Sequence, residues 1–97
     1  YGKIINFGSI AGIDGMGMAA PYSVSKAAVH NLSKTTNLET PDCISSHVFV
    51  LSIIDTAINR EAMPDADFSS WISIQSICDK IVSIINNQEL NDLIYFD

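Results

Sequence analysis

An α/β fold built on a parallel sheet is what this sequence predicts, and three observations carry that expectation. Two apolar runs, residues 3–7 and 47–54, lack the period-two alternation of half-exposed strands and read as strands buried on both faces, the habit of parallel sheets. One stretch between them, residues 21–38, is long enough for a crossover helix and sets Val24, Ala27, Ala28, Val29 and Leu32 along an apolar stripe. Strand, helix, strand in that order demands parallel pairing through a right-handed crossover. With 97 residues, of which 47% are hydrophobic, the chain has room for one domain with a thin core.

Taken in order, Lys3-Ile4-Ile5-Asn6-Phe7 is short, apolar and followed by small residues, as a strand entering a loop should be. Residues 8–20 read as that loop: glycines let its backbone approach a ligand closely, and Met16 and Met18 offer adaptable apolar surface, for packing or for substrate. Pro21 suits the first turn of the long helix. His30 stands one turn beyond Lys26 and within reach of the site, but with the reacting centre at the helix start it is expected to face solvent or a neighbouring subunit. Residues 40–45, with Pro41 and Asp42, form a turn. The second strand is centred on Val48-Phe49-Val50-Leu51; His47 at its entrance is far from the carboxyl edge where open α/β sheets bind ligands, and receives no catalytic role.

Asp55 and Thr56 follow that strand at the ligand-binding edge, where Thr56 is also placed to cap a short helix. Met63-Pro64 breaks the helix, and residues 65–70 make a polar loop leading to Trp71. Its aromatics, Phe68 and Trp71, are placed to cover a flat heteroaromatic substrate; Trp71 is equally suited to dock the loop on the core. Residues 72–85 are apolar at 74, 77, 78, 81, 82, 84 and 85, a helical recurrence, and residues 93–96 close the chain as a short strand.

The chemistry concentrates near the start of the long helix. Tyr22 and Lys26 are four residues apart and share one helix face, so the ammonium lies beside the phenol. A fixed positive charge next to a phenol favours the phenolate and suits the group to pass a proton near neutrality. Ser9 precedes Tyr22 by thirteen residues and ends the first apolar run, so the strand delivers its hydroxyl to the tip where the helix begins.

Ser9 and then Tyr22-x-x-x-Lys26, after Gly2-Lys3-Ile4-Ile5-Asn6-Phe7 and with Ala27-Ala28-Val29 behind the lysine, resembles the catalytic half of the short-chain dehydrogenase/reductase family. The resemblance implies the C-terminal part of a Rossmann-like doubly wound parallel sheet: strand, long helix, strand, short helix and loop, helix, short strand. Residues 1–97 would be the C-terminal catalytic part of a single domain, the glycine-rich turn and ribose selector of the dinucleotide-binding half lying outside them. It further implies Tyr22 as general acid/base, Lys26 as holder of the nicotinamide ribose hydroxyls, Ser9 polarising the substrate oxygen and Thr56 beside the carboxamide. NADH or NADPH would be the cofactor. Leu51 and Ser52 stand where the family usually carries proline and glycine.

The stretch 55–71 is similar to the matching segment of the dihydropteridine reductase branch, through Asn59-Arg60, Met63-Pro64 and Ala66-Asp67-Phe68-Ser69-Ser70-Trp71. That resemblance implies NAD(P)H-dependent reduction of quinonoid dihydropteridine to tetrahydropteridine, as in tetrahydrobiopterin regeneration. Met18, Phe68 and Trp71 would then lie against the pterin. The family also implies a homodimer formed in part through the long helix, and the 97 residues alone are expected to be inactive. Two other readings stand beside this one: a generic short-chain carbonyl or alcohol oxidoreductase, for which Ser9 is essential, and a truncated, non-catalytic copy acting only through subunit association.

Composition excludes other classes. A net charge of −6 argues against nucleic acid, which demands clustered Lys and Arg. No apolar run reaches the length of a membrane span and no signal-peptide pattern opens the chain, so a cytoplasmic protein is expected. Cys43 and Cys78 lie far apart without C-x-x-C or histidine at ligand spacing, which predicts reduced thiols and no metal site.

Overall fold

The computed structural model describes residues 2–96. Its elements follow the order β1 (Gly2–Phe7), α1 (Ala11–Asp14), α2 (Ala20–Glu39), β2 (Ile44–Val50), α3 (Ala57–Ala62), a 3₁₀ turn (Phe68–Ser70), α4 (Ile74–Ile85) and β3 (Leu93–Tyr95). The three strands form one sheet in the order β1-β2-β3, parallel throughout, with Ile5 opposite His47 and Phe49 opposite Ile94. The α/β reading of the sequence therefore holds. Three details differ: a short helix interrupts the 8–20 loop, β2 begins at Ile44, and residue 72 pairs in an isolated parallel bridge with Ile54 before α4 begins.

Alternation along β2 decides what each face of the sheet carries. Phe49 joins Ile5, Ile77, Ile81, Ile84, Ile94 and Phe96 in the apolar core beneath α4. Phe49 touches the rings of Phe7 and Phe96 at centroid distances of 5.6 and 5.1 Å, an aromatic row from β1 through β2 to the residue just beyond β3. The opposite face, under α2, carries the buried Val48 and Val50 and, at Ser46, a polar contact. Ser46 Oγ is 2.7 Å from Ser33 Oγ of α2 and receives a hydrogen bond from the Asn6 amide at 3.3 Å.

This polarity corrects the expected apolar stripe of α2. Val24 and Leu32 are 68% and 61% exposed, Ala27 and Ala28 are exposed too, and the helix instead turns His30 and Ser33 inward. Small and polar side chains at 33 and 46 let helix and strand approach closely, and they satisfy each other there. Asn37 extends the same logic. Its carboxamide accepts the Ser46 N–H at 2.7 Å and donates to the Ser46 carbonyl at 2.8 Å, completing a strand edge that β3 reaches only from Val48 onward. The expectation of a fully buried first strand is also corrected. Among the described residues β1 pairs only with β2, and Ile4 and Phe7 are exposed.

Candidate active site

The site is assembled where β1 and β2 end. Beyond Phe7 the ladder continues irregularly: the Gly8 N–H donates to Phe49 O at 2.8 Å and the Ile10 N–H to Leu51 O at 3.0 Å, which fixes Ser9 between them at the carboxyl edge of the sheet. Ser9 Oγ accepts the Ala11 N–H at 3.1 Å and so starts α1. Gly12 then lets α1 rest on α2, since a Cβ there would stand 2.8 Å from the Lys26 carbonyl carbon and 2.9 Å from the Ala27 nitrogen. The chain turns back through Met18, at a left-handed φ of 64°, into α2, whose first turn carries Pro21.

Tyr22 and Lys26 stand on the first turns of α2, facing β1. Lys26 Nζ lies 5.8 Å from the centroid of the Tyr22 ring and donates to the Phe7 carbonyl at 2.9 Å. An ammonium has three protons and this one uses a single partner, which leaves donors for a ligand hydroxyl. Tyr22 and Ser9 both line one cleft of about 440 Å³, walled by Ile10, Ala11, Gly15 and Met16 on one side and by Leu51, Ser52 and Ile53 beyond β2 on the other. Ser9 is 5% exposed and Tyr22 48% exposed, so the serine forms the floor and the phenol the rim.

The other candidates are placed elsewhere. Thr56 caps α3, its Oγ1 accepting the Asn59 N–H at 3.1 Å, which is the capping role its position suggested. Met18 is fully exposed, and Met16 is the methionine on the cleft wall. Phe68 and Trp71 pack against each other in a tilted pair with centroids 4.7 Å apart, and Arg60 lies over the Phe68 ring at 4.5 Å while its guanidinium grips Asp55 through two bonds of 2.6 and 2.8 Å. The Arg60 hydrogen bonds hold the Asp55 carboxyl below the ordinary range. Neither aromatic lines the 440 Å³ cleft; they organise the loop that follows α3.

His30 is the residue whose expected position is overturned. It does not face solvent but is buried at 9% exposure, with Nε2 accepting the Ser9 N–H at 3.1 Å. Spacing put His30 within reach of the site but could not decide its direction, because no apolar stripe marks the inward face of α2. Ile10, Leu51 and Ile53 were missed for a simpler reason: plain apolar walls carry no chemical signature. His47, by contrast, is buried at the strand entrance and bonded to Asn91 O at 2.7 Å and Ser45 Oγ at 3.1 Å. Cys43 and Cys78 are free and exposed.

A parallel α/β sheet with a tyrosine, a lysine and a serine gathered at its carboxyl rim defines a class of ligand-binding fold, and comparison with known proteins narrows it. A family model described as short chain dehydrogenase matches residues 1–67, more than half of the sequence, and the chain belongs to that family. A short-chain dehydrogenase/reductase homolog, YusR, of Bacillus subtilis (strain 168) is 62% identical over 34 residues, covering 35% of this chain and 26% of that protein. Among solved structures, 4-hydroxyisoleucine dehydrogenase complexed with NADH matches with a TM-score of 0.73 at 21% identity, over 96% of this chain and 44% of the other. The same enzyme complexed with NADH and succinate matches at 0.75 and 22% identity, over 98% and 44%. At such identities the likeness is one of fold. The chain spans about a quarter of its curated relative and under half of these structures.

Proposed function

We propose that this chain is the proton-handling half of an NAD(P)H-dependent oxidoreductase that interconverts a carbonyl and an alcohol. The observation that carries the reading is the shared cleft: Tyr22 at its rim, Ser9 at its floor and the Lys26 ammonium 5.8 Å from the Tyr22 ring, all beyond the carboxyl ends of β1 and β2. Open parallel α/β sheets bind their ligands at that edge.

The residues present fit a nicotinamide cofactor. Lys26 keeps donors for ribose hydroxyls, and the apolar walls of Ile10, Leu51 and Ile53 suit a nicotinamide ring. When bound, the nicotinamide supplies or takes up hydride. Tyr22 gives its phenolic proton to the substrate oxygen in reduction and takes one in oxidation. Lys26 lowers the energy of the phenolate left behind. Ser9 Oγ already accepts from Ala11, so its own hydrogen is free to donate to the substrate oxygen. Thr56, beyond the second strand, is the residue we assign to the carboxamide.

A second reading, reduction of quinonoid dihydropteridine, draws support from the 55–71 segment and its likeness to that branch. It asks Met18, Phe68 and Trp71 to meet the pterin once the loop after α3 is engaged. Pairing of two copies through α2 is supported by the exposed Val24 and Leu32, and the free thiols suit a reducing compartment such as the cytoplasm; no helix is long and apolar enough to cross a membrane among the described residues.

The test is turnover by the full-length protein with NADH and NADPH, comparing short hydroxy acids and ketones with quinonoid dihydropterin. Carbonyl or alcohol turnover that Ser9→Ala abolishes is the expected result. Turnover of dihydropterin alone, indifferent to Ser9→Ala, selects the second reading, and inertness toward both classes rejects the oxidoreductase assignment.

A further inference from the structure

Behind Ser9 sits a group that the proposed chemistry does not use. The His30 imidazole reaches from α2 to the end of β1, and it does so only because residue 8 is glycine: a Cβ there would lie 2.2 Å from His30 Nε2 and 2.7 Å from its Cδ2. With the ring in that place, Nε2 accepts the Ser9 N–H at 3.1 Å. An Nε2 that accepts must be unprotonated, so the neutral ring carries its hydrogen on Nδ1, which is buried and has no hydrogen-bond partner among the described residues. Three hydrogen bonds therefore hold Ser9: its N–H donates to His30 Nε2, its Oγ accepts the Ala11 N–H, and its carbonyl accepts the Gly12 N–H at 2.9 Å; only the first depends on the protonation of a side chain.

The charged surroundings all bear on whether the ring stays neutral. Lys26 lies one turn earlier on α2, and Lys34 and Asp92 line the small cavity on which His30 also borders. β1 and α1 bring Gly8, Gly12 and Ile13 to the ring, and β2 brings Val48; its own His47 is bonded away to Asn91 and Ser45. Burial, and then Lys26, hold His30 below the ordinary imidazole range. A second proton on the ring would set an Nε2–H against the Ser9 N–H, two donors face to face, and the hydrogen bond would be lost.

We propose that neutral His30 is the positioning residue for the Ser9 hydroxyl, and that its protonation releases the serine turn. The proposal rests on the reading of Ser9 as a substrate-contacting residue. It gives the enzyme an acid-side decline in turnover that comes from a residue out of contact with substrate and cofactor.

The experiment uses the full-length protein and two substitutions. His30→Gln keeps an acceptor near the Nε2 position and cannot titrate; His30→Leu fills the space with no acceptor. The expected result is that His30→Gln retains kcat near neutrality within about threefold and loses the acid-side decline, while His30→Leu lowers kcat about tenfold, the worth of one hydrogen bond, with the KM for cofactor unchanged. A His30→Gln enzyme that keeps the wild-type acid limb, or a His30→Leu enzyme with wild-type kcat, overturns the proposal. The Ser9 amide resonance is the second readout: it should titrate with the His30 ring in the wild type and lose that titration in His30→Gln. If the wild type shows no turnover at all, the functional reading fails, and the Ser9 amide still decides the His30 link: a resonance indifferent to His30 protonation overturns it.

Discussion

At residue 8 the chain has no side chain, and much of the site depends on that. An added methyl would stand 2.2 Å from His30 Nε2 and 2.5 Å from Val48 Cγ1, both fixed in the packed layer between α2 and the sheet. We expect Gly8→Ala to lower stability by about 1–3 kcal/mol, as overpacking does, measured by urea unfolding. Gly17→Ala is the control: nothing lies within 4 Å of its Cβ and its φ is not left-handed, so the change should stay within about 0.5 kcal/mol. His30 adds a pH dependence of definite sign. Its folded form resists a proton that the unfolded chain accepts at the ordinary imidazole range, about pH 6.5. Its contribution to stability is thus complete above that range and is lost as the pH falls through it. The urea midpoint of the wild type should drop on acidification below pH ~6.5 more steeply than that of His30→Gln; parallel curves would remove His30 from the account.

Among the elements, α2 carries the most. Its length, its start at Pro21 and the common face of Tyr22 and Lys26 were legible from spacing, because those features follow from helix geometry alone. Its orientation on the sheet was not. Val24, Ala28 and Leu32 form the stripe that hydropathy would bury, and the structure turns it outward in favour of His30, Ser33 and Asn37. Hydropathy cannot detect a buried face whose members satisfy one another by hydrogen bonds. Asn37→Leu tests that polar packing: it strands the Ser46 N–H and carbonyl, and should lower stability by about 2–3 kcal/mol in urea unfolding, despite the gain in hydrophobicity. The four-residue α1 was invisible for another reason, being shorter than the period needed to reveal a helix. The helical recurrence of α4 needed no such context, although of its apolar positions Ile77 and Ile84 are buried while Ile74, Cys78, Val82 and Ile85 stay exposed.

As a whole the molecule is a thin slab, 47 × 29 × 18 Å, with a radius of gyration of 14.5 Å against about 13 Å for a compact chain of this size. Apolar side chains stay exposed on the outer face of α2, at Ile74, Val82 and Ile85 of α4, and at Tyr95 of β3. A chain with that much uncovered apolar surface should self-associate when prepared alone, and sedimentation velocity at rising concentration should report oligomers; a monomer at all concentrations would show that these faces are tolerated in water. The central claim is more local. It holds that the Tyr22 phenol, with Lys26 beside it and Ser9 below, passes the proton in a nicotinamide-dependent reaction. The direct measurement is kcat and cofactor affinity of full-length Tyr22→Phe, a change that keeps the ring and, at a half-exposed position, leaves the fold alone. The account predicts a fall in kcat of about 10²–10⁴-fold with cofactor affinity nearly unchanged, and wild-type turnover in that variant would contradict it.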